Sequence, residues 1–287
     1  MKPAPFGYAR PRDLEELLGT LTEGDMLLAG GQSLLPFLNE RRIRPRRLVD
    51  VNDVAELRRV DMGPDRVVLG ALTRHRELEA GDEVRDAIPV LASAAGHVGH
   101  AAVRTRGTLG GSVANADPAA ELPGVCVLLG AKAHLRAPDG GARTIRVAEL
   151  LAGGLGPFEV IVAIELPRLS GREGWAFREV SRPGAYAFPL ITVAATVALA
   201  ADGTVAGLRA AVTGVAPVPY ALGTAATALL GREPAVDWYE ATAESIADRA
   251  DPVDDLYASA AHRRRLVRHM AREVLADAVR RAEAVAA

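Results

Sequence analysis

The chain has 287 residues, 49% of them hydrophobic, and a formal net charge of −2; it can bury a substantial core and has no global electrostatic reason to bind nucleic acid or a membrane surface. Its single cysteine, Cys126, excludes an internal disulfide and cannot supply the four thiolates that an iron–sulfur cluster needs. The first residues carry no signal-peptide core and no run of about 18 apolar residues reads as a membrane span, so the cytoplasm is the expected location.

Residues 9–22 predict a short amphipathic helix that Asp13 starts, with Leu14, Leu17, Leu18 and Leu21 on one face. A strand at Leu27 to Ala29 leads into a glycine-pair loop, Ala29-Gly30-Gly31-Gln32-Ser33-Leu34, and an apolar run follows to Leu38. The segment Arg41 to Arg47 is the densest positive charge, either a solvated turn or a contact for a partner or phosphate. Leu48 to Val51 is a strand closing a first lobe. Val67 to Gly70 is a second strand, Thr73 reads as a helix cap, and Pro89 to Ala102 as one small-residue helix. That helix would put His97 and His100 on one face, but no third ligand accompanies them, so no metal is assigned.

A second glycine pair lies between Arg104 and Pro123, in Thr108-Leu109-Gly110-Gly111-Ser112. Without side chains, Gly110 and Gly111 would let backbone N–H groups approach an anion, and the hydroxyls of Thr108 and Ser112 could donate as well. Two such cradles suit a diphosphate. Neither is followed by a Walker lysine, neither has the spacing G-x-G-x-x-G, and Leu35 stands where a nucleophile elbow needs its second glycine. A helix start beyond the second loop would turn its positive end to the anion. Glu121 is out of place beside a phosphate; it either hydrogen-bonds a ribose hydroxyl or is an exposed helix carboxylate.

Further on come a helix at about 119–129, a hairpin at about 131–147, and a strand from Val160 to Leu166 apolar enough to be buried on both faces. Leu169 to Gly174 has the composition of a linker. Three antiparallel strands then precede helices at about 221–230, 236–250 and 258–286, the last with Leu266, Met270 and Val274 opposite Arg263, Arg264 and Arg268.

The motifs Ala-Gly-Gly-Gln-Ser at 29–33 and Thr-Leu-Gly-Gly-Ser at 108–112, the latter continued by Ala-Asn-Ala-Asp-Pro-Ala, resemble the medium, FAD-binding subunit of the molybdenum hydroxylases, such as carbon monoxide dehydrogenase and xanthine dehydrogenase. Gly214 to Pro219 and Ala258 to Arg264 resemble its C-terminal region in the right order. The resemblance implies an α+β fold: a two-lobed FAD-binding domain at about 1–170, with lobes about 1–53 and 54–170, then a small domain at 171–287 with a three-stranded antiparallel sheet and helices. It implies noncovalent FAD contacted by Ala29, Gly30, Gly31, Gln32, Ser33, Leu34, Thr108, Leu109, Gly110, Gly111, Ser112, Asn115, Asp117, Glu121, Ile161, Arg178 and Tyr186. Arg178 stands where the family usually has a lysine, and Ala185 where it has an aspartate; Tyr186 is either beside the flavin ring or a half-buried strand residue. No residue need act as a general acid or base. The molybdenum cofactor and the 2Fe–2S clusters are expected on a large and a small partner subunit. A stand-alone FAD-dependent oxidase or dehydrogenase, and a non-enzymatic ligand-binding module of the same fold, are the alternatives.

Overall fold

The structure is a computed structural model and describes residues 2–181 and 188–286. The first sheet is built from β1 (Gly7–Ala9), α1 (Leu14–Thr20), β2 (Asp25–Leu28), α2 (Leu34–Asn39) and β3 (Arg47–Asp50), its strands parallel in the order β1-β3-β2. Parallel neighbours need crossovers, and the two helices supply them. Asp13 caps α1, accepting from the N–H of Glu16 at 2.8 Å, and Leu17 carries the apolar face into a cluster with Val49, Val51, Val54, Leu57, Leu72 and Val160. Within the basic run, Arg47 is structural: it donates to Asp25 at 3.1 Å and to the Thr20 carbonyl at 2.7 Å.

The second sheet and its helices comprise β4 (Val60–Met62), β5 (Arg66–Gly70), α3 (His75–Ala80), α4 (Asp82–Ala87), α5 (Pro89–His97), α6 (Ala101–Arg106), α7 (Leu109–Asn115), α8 (Glu121–Leu128), β6 (Lys132–Arg136), β7 (Ala142–Arg146), α9 (Val147–Gly153) and β8 (Val160–Pro167). The strand order is β4-β5-β8-β6-β7. The apolar β8 takes the central place, pairing antiparallel with β5 and β6. The buried face of α5 and all of α8, Cys126 included, fill the core above it. Two expectations fail locally. The helix foreseen from Pro89 to Ala102 is broken at Val98 to His100, where Gly99 has φ of +48°, so His97 ends one helix and His100 precedes the next. Thr73 is no cap; its hydroxyl donates to the Gly70 carbonyl at 2.7 Å, while the Arg74 N–H donates to Glu77 at the start of α3.

The C-terminal domain contains β9 (Glu173–Val180), β10 (Ile191–Leu199), β11 (Val205–Thr213), β12 (Tyr220–Ala221), α10 (Val236–Ala247) and α11 (Ala260–Ala286). The three expected antiparallel strands are joined by a two-residue fourth, in the order β12-β11-β10-β9, and the helix expected at 221–230 is a 3-10 segment, Gly223–Leu229. Val267, Met270, Ala271, Val274, Leu275 and Ala278 of α11 pack on the sheet. Arg263 is not on the polar face of that helix: it is buried, and its guanidinium donates to the Leu190 and Gly214 carbonyls and to Asp255. The other face of the sheet docks on the start of α8, where the Gly214 N–H reaches the Pro118 carbonyl at 2.8 Å and the Thr213 hydroxyl the Ala119 carbonyl at 3.2 Å.

Gly174 marks the tightest contact of β9 with α11, since a Cβ there would lie 1.9 Å from the Ala278 carbonyl oxygen and 2.4 Å from the Ala282 nitrogen. Gly174→Ala should lower stability by about 1–3 kcal/mol through overpacking. Both tryptophans, Trp175 and Trp238, lie in this domain, so urea unfolding followed by their fluorescence reads the loss directly. An unchanged midpoint would show that α11 shifts freely.

Candidate cofactor site

The first glycine loop is buried at Gly30 and Gly31 and reaches the surface at Gln32. Gly31, at φ +74°, turns the chain from β2 into α2, and the Asn52 side chain holds the Ala29 carbonyl at 2.9 Å. Among the described residues, nothing accepts a hydrogen bond from the backbone N–H groups of Gly30, Gly31, Gln32, Ser33 and Leu34. The Gln32 amide folds back on the Gly30 carbonyl at 3.2 Å, and Ser33 makes no capping bond. Consecutive unpaired donors at a chain reversal are the kind of backbone arrangement that anion-binding loops use.

The second motif has a different geometry from the expected turn. Its glycines lie inside α7, which Thr108 caps. The N–H of Leu109 reaches the Thr73 carbonyl and that of Gly110 the Ala71 carbonyl, each at 2.9 Å; that of Gly111 reaches Thr108 Oγ1 at 3.1 Å and that of Ser112 the Thr108 carbonyl at 2.9 Å. These four donors are therefore engaged within the protein. The missing side chains serve packing instead: a Cβ on Gly110 would stand 2.5 Å from Ala71 Cβ, and one on Gly111 2.7 Å from the capping Thr108 oxygen. What the second motif turns outward is side chain, with Ser112 half-buried and Asn115 exposed.

The two motifs meet. Gly30 presses against the turn before α7, its hypothetical Cβ 2.4 Å from the Arg106 carbonyl oxygen and 2.9 Å from Gly107 Cα. Arg74, which sequence reasoning passed over, bolts this junction: its guanidinium donates to the Arg106 carbonyl and to the Asn52 side chain that holds Ala29. Arg74 is only 7% exposed. Burial and the neighbouring Arg58 and Arg106 hold its pKa below the usual guanidinium value, with only Glu77 opposing. Among the described residues this positive charge, joined to the loop through Asn52, has no carboxylate bonded to it. His75, next in sequence, lies under Gly107; among the described residues neither ring nitrogen makes a well-formed hydrogen bond, and burial, only partly offset by the Thr108 backbone, takes its pKa down to about 4.

Glu121, at the first turn of α8, is 4% exposed, which removes the exposed-carboxylate reading. Burial, then the Glu179 and Asp117 charges, push its pKa up to about 7 against its own backbone N–H. Asp117 accepts from the Ala119 N–H at 2.9 Å, and Ile161 is buried in the core above β8. Arg178 does not turn toward Glu121: it points to α11, 2.9 Å from Glu273 and 2.8 Å from Asp277. Tyr186 and Ala185 lie outside the described residues.

Residues 4–169 match the model of the FAD binding domain in molybdopterin dehydrogenase. The chain belongs to that family. Residues 175–278 match the CO dehydrogenase flavoprotein C-terminal domain, and the chain is a medium, FAD-binding subunit of the molybdenum hydroxylase type. It is 36% identical to the 6-hydroxypseudooxynicotine dehydrogenase complex subunit alpha of Paenarthrobacter nicotinovorans, over 98% of this chain and 97% of that one. A stretch covering 63% of the chain is 40% identical to caffeine dehydrogenase subunit beta of a Pseudomonas strain, spanning 64% of that subunit. Carbon monoxide dehydrogenase from Hydrogenophaga pseudoflava superposes with a TM-score of 0.92 at 32% identity, over 98% of this chain and 99% of that one. No helix among the described residues is long and apolar enough to cross a membrane.

The buried acid gives a pH signature in the flavin-free chain. The folded chain keeps a proton on Glu121 between its ordinary pKa of 4.5 and about 7, so its contribution to stability is full below about 4.5 and lost as pH rises through about 7. His75 acts oppositely, its contribution present above 6.5 and lost as pH falls toward 4. Glu121→Gln should therefore melt at progressively higher temperature than the parent as pH is raised from about 5 to about 8. A melting difference that stays flat over this range would place the carboxylate in water.

Proposed function

We propose that the first glycine loop and the buried guanidinium joined to it hold the diphosphate of noncovalent FAD, and that the chain relays electrons from iron–sulfur clusters on a small subunit to an external acceptor. The observation that carries the reading is the row of unpaired N–H donors from Gly30 to Leu34 joined through Asn52 to Arg74. Thr108 caps α7 just beyond this junction, Ser112 lies in the first turn of that helix, and a Cβ on Gly30 would drive Arg106 and Gly107 away. Glu121 offers a carboxylate acceptor to a sugar hydroxyl.

When bound, FAD supplies the redox chemistry; the chain binds, orients and electrostatically tunes it. The backbone donors of the first loop neutralise phosphate charge without a mobile side chain, and Arg74 adds a fixed positive charge that no pH in the working range removes. No described residue has to move a proton to substrate. Substrate oxidation belongs to a large molybdenum subunit on this reading, and the named relatives support it: a dehydrogenase complex subunit, and a carbon monoxide dehydrogenase whose solved form lacks the Mo-pyranopterin moiety of its molybdenum cofactor. The FAD-binding part spans about 1–170, with lobes about 1–53 and 54–170, and the smaller part 171–287. The exposed arginines among Arg41 to Arg46 form a basic surface for the carboxylates of a partner.

Acid precipitation should release intact FAD into the supernatant, whereas a yellow pellet would contradict noncovalent binding. The decisive comparison is anaerobic flavin reduction by the complex's own substrate, with the isolated chain and with the chain joined to its large and small subunits. Bleaching should require both partners. Rapid bleaching of the isolated chain by an organic substrate would favour a stand-alone oxidase or dehydrogenase.

A further inference from the structure

The side chains of β9 alternate, and the alternation decides which of its charges meets the cofactor site. Ala176 packs against α11 and Arg178 is paired there with Glu273 and Asp277. Phe177 enters the core shared with the second sheet. Glu179 lies on the Phe177 face. One of its carboxylate oxygens accepts from the Ser181 hydroxyl at 2.7 Å, while Oε2 is buried and, among the described residues, has no partner. Glu179 stands opposite Thr192 in the sheet, Thr192 bonds Thr213, and the Thr213 hydroxyl donates to the Ala119 carbonyl just before α8, so this face of β9 is turned toward Glu121, the 96%-buried acid of α8, whose pKa the Glu179 charge helps to raise.

A buried acceptor left unmade is unfavourable, and two carboxylates on neighbouring buried elements repel. The guanidinium next in sequence does not relieve them, being held on the opposite face of the strand. A phosphate would add to the repulsion. The chemistry that complements two close carboxylate acceptors is a neutral chain of hydroxyl donors, and FAD carries two such stretches, a ribose and a ribityl chain.

We propose that Glu179, not Arg178, is the cofactor-binding residue of β9, and that with Glu121 it accepts hydrogen bonds from hydroxyl groups of the bound flavin nucleotide. The proposal rests on the FAD reading above and adds to it an acidic wall opposite the cationic diphosphate end.

The test uses the full chain stripped of flavin. Dissociation constants for FAD and for ADP are measured for the parent, Glu179→Gln and Glu179→Leu, with thermal melts of each flavin-free chain. Glu179→Leu should bind FAD about 10–100-fold more weakly, the effect of one charge-assisted hydrogen bond, and Glu179→Gln by an intermediate factor. The flavin-free leucine chain should melt no lower than the parent, because an unsatisfied buried oxygen has gone. A parallel loss of ADP affinity assigns the contact to the ribose; unchanged ADP affinity assigns it to the ribityl chain. Both results support the proposal. FAD affinity within about twofold of the parent in both variants overturns it while leaving the FAD reading intact; a parent chain that binds no FAD overturns both. Should the leucine chain not fold, the near-isosteric glutamine carries the same comparison.

Discussion

Everything in the cofactor site depends on one buried guanidinium. Arg74 reaches in one direction to the carbonyl of Arg106, which precedes α7, and in the other to Asn52, whose amide grips the Ala29 carbonyl at the end of β2. The first and second sheets are thereby registered at the point where their glycine motifs touch. Breaking such a set releases a charge into a site built to bond it, and loss of one member of a buried charged network is among the larger single-residue effects on stability. On the proposed reading, a guanidinium with no carboxylate bonded to it among the described residues is also the electrostatic reason for an anion to settle at the first loop.

The two glycine pairs look equivalent as sequence, yet they do different work. At 30–31 one glycine presses on Arg106 and Gly107, the other reverses the chain, and among the described residues their N–H groups stay unpaired; at 110–111 they let a capped helix lie against Ala71 with its N–H groups bonded inside the protein. Glycine signals only that a side chain is not tolerated, and the reason is fixed by what the fold brings alongside. The same holds for Arg178 and Glu179, adjacent in sequence but opposed across β9, where strand register alone decides which charge meets the site.

Much of the fold was legible locally. Asp13 at the start of α1, the nearly all-apolar β8 and the β-branched β10 each carry their assignment in composition and period. The broken helix at Val98 to His100 was not, since small residues on both sides hide the break and Gly99 is its one mark. Arg74 and Asn52 were invisible for another reason: they act through long-range bonds to main-chain groups, which leave no spacing pattern. Glu121 was noticed because an acid beside an anion cradle is a local conflict, and such conflicts gather at functional sites. Its burial came only from the docking of the third sheet on α8.

The central claim is the asymmetry between the two motifs, and amide hydrogen exchange measures it residue by residue. In the flavin-free chain the amides of Gly30 to Leu34 should exchange fast and those of Leu109 to Ser112 slowly. Added FAD should protect the first group strongly and leave the second nearly unchanged. Fast exchange of 109–112 without flavin, with protection arising there and not at 30–34 when FAD is added, would contradict the account.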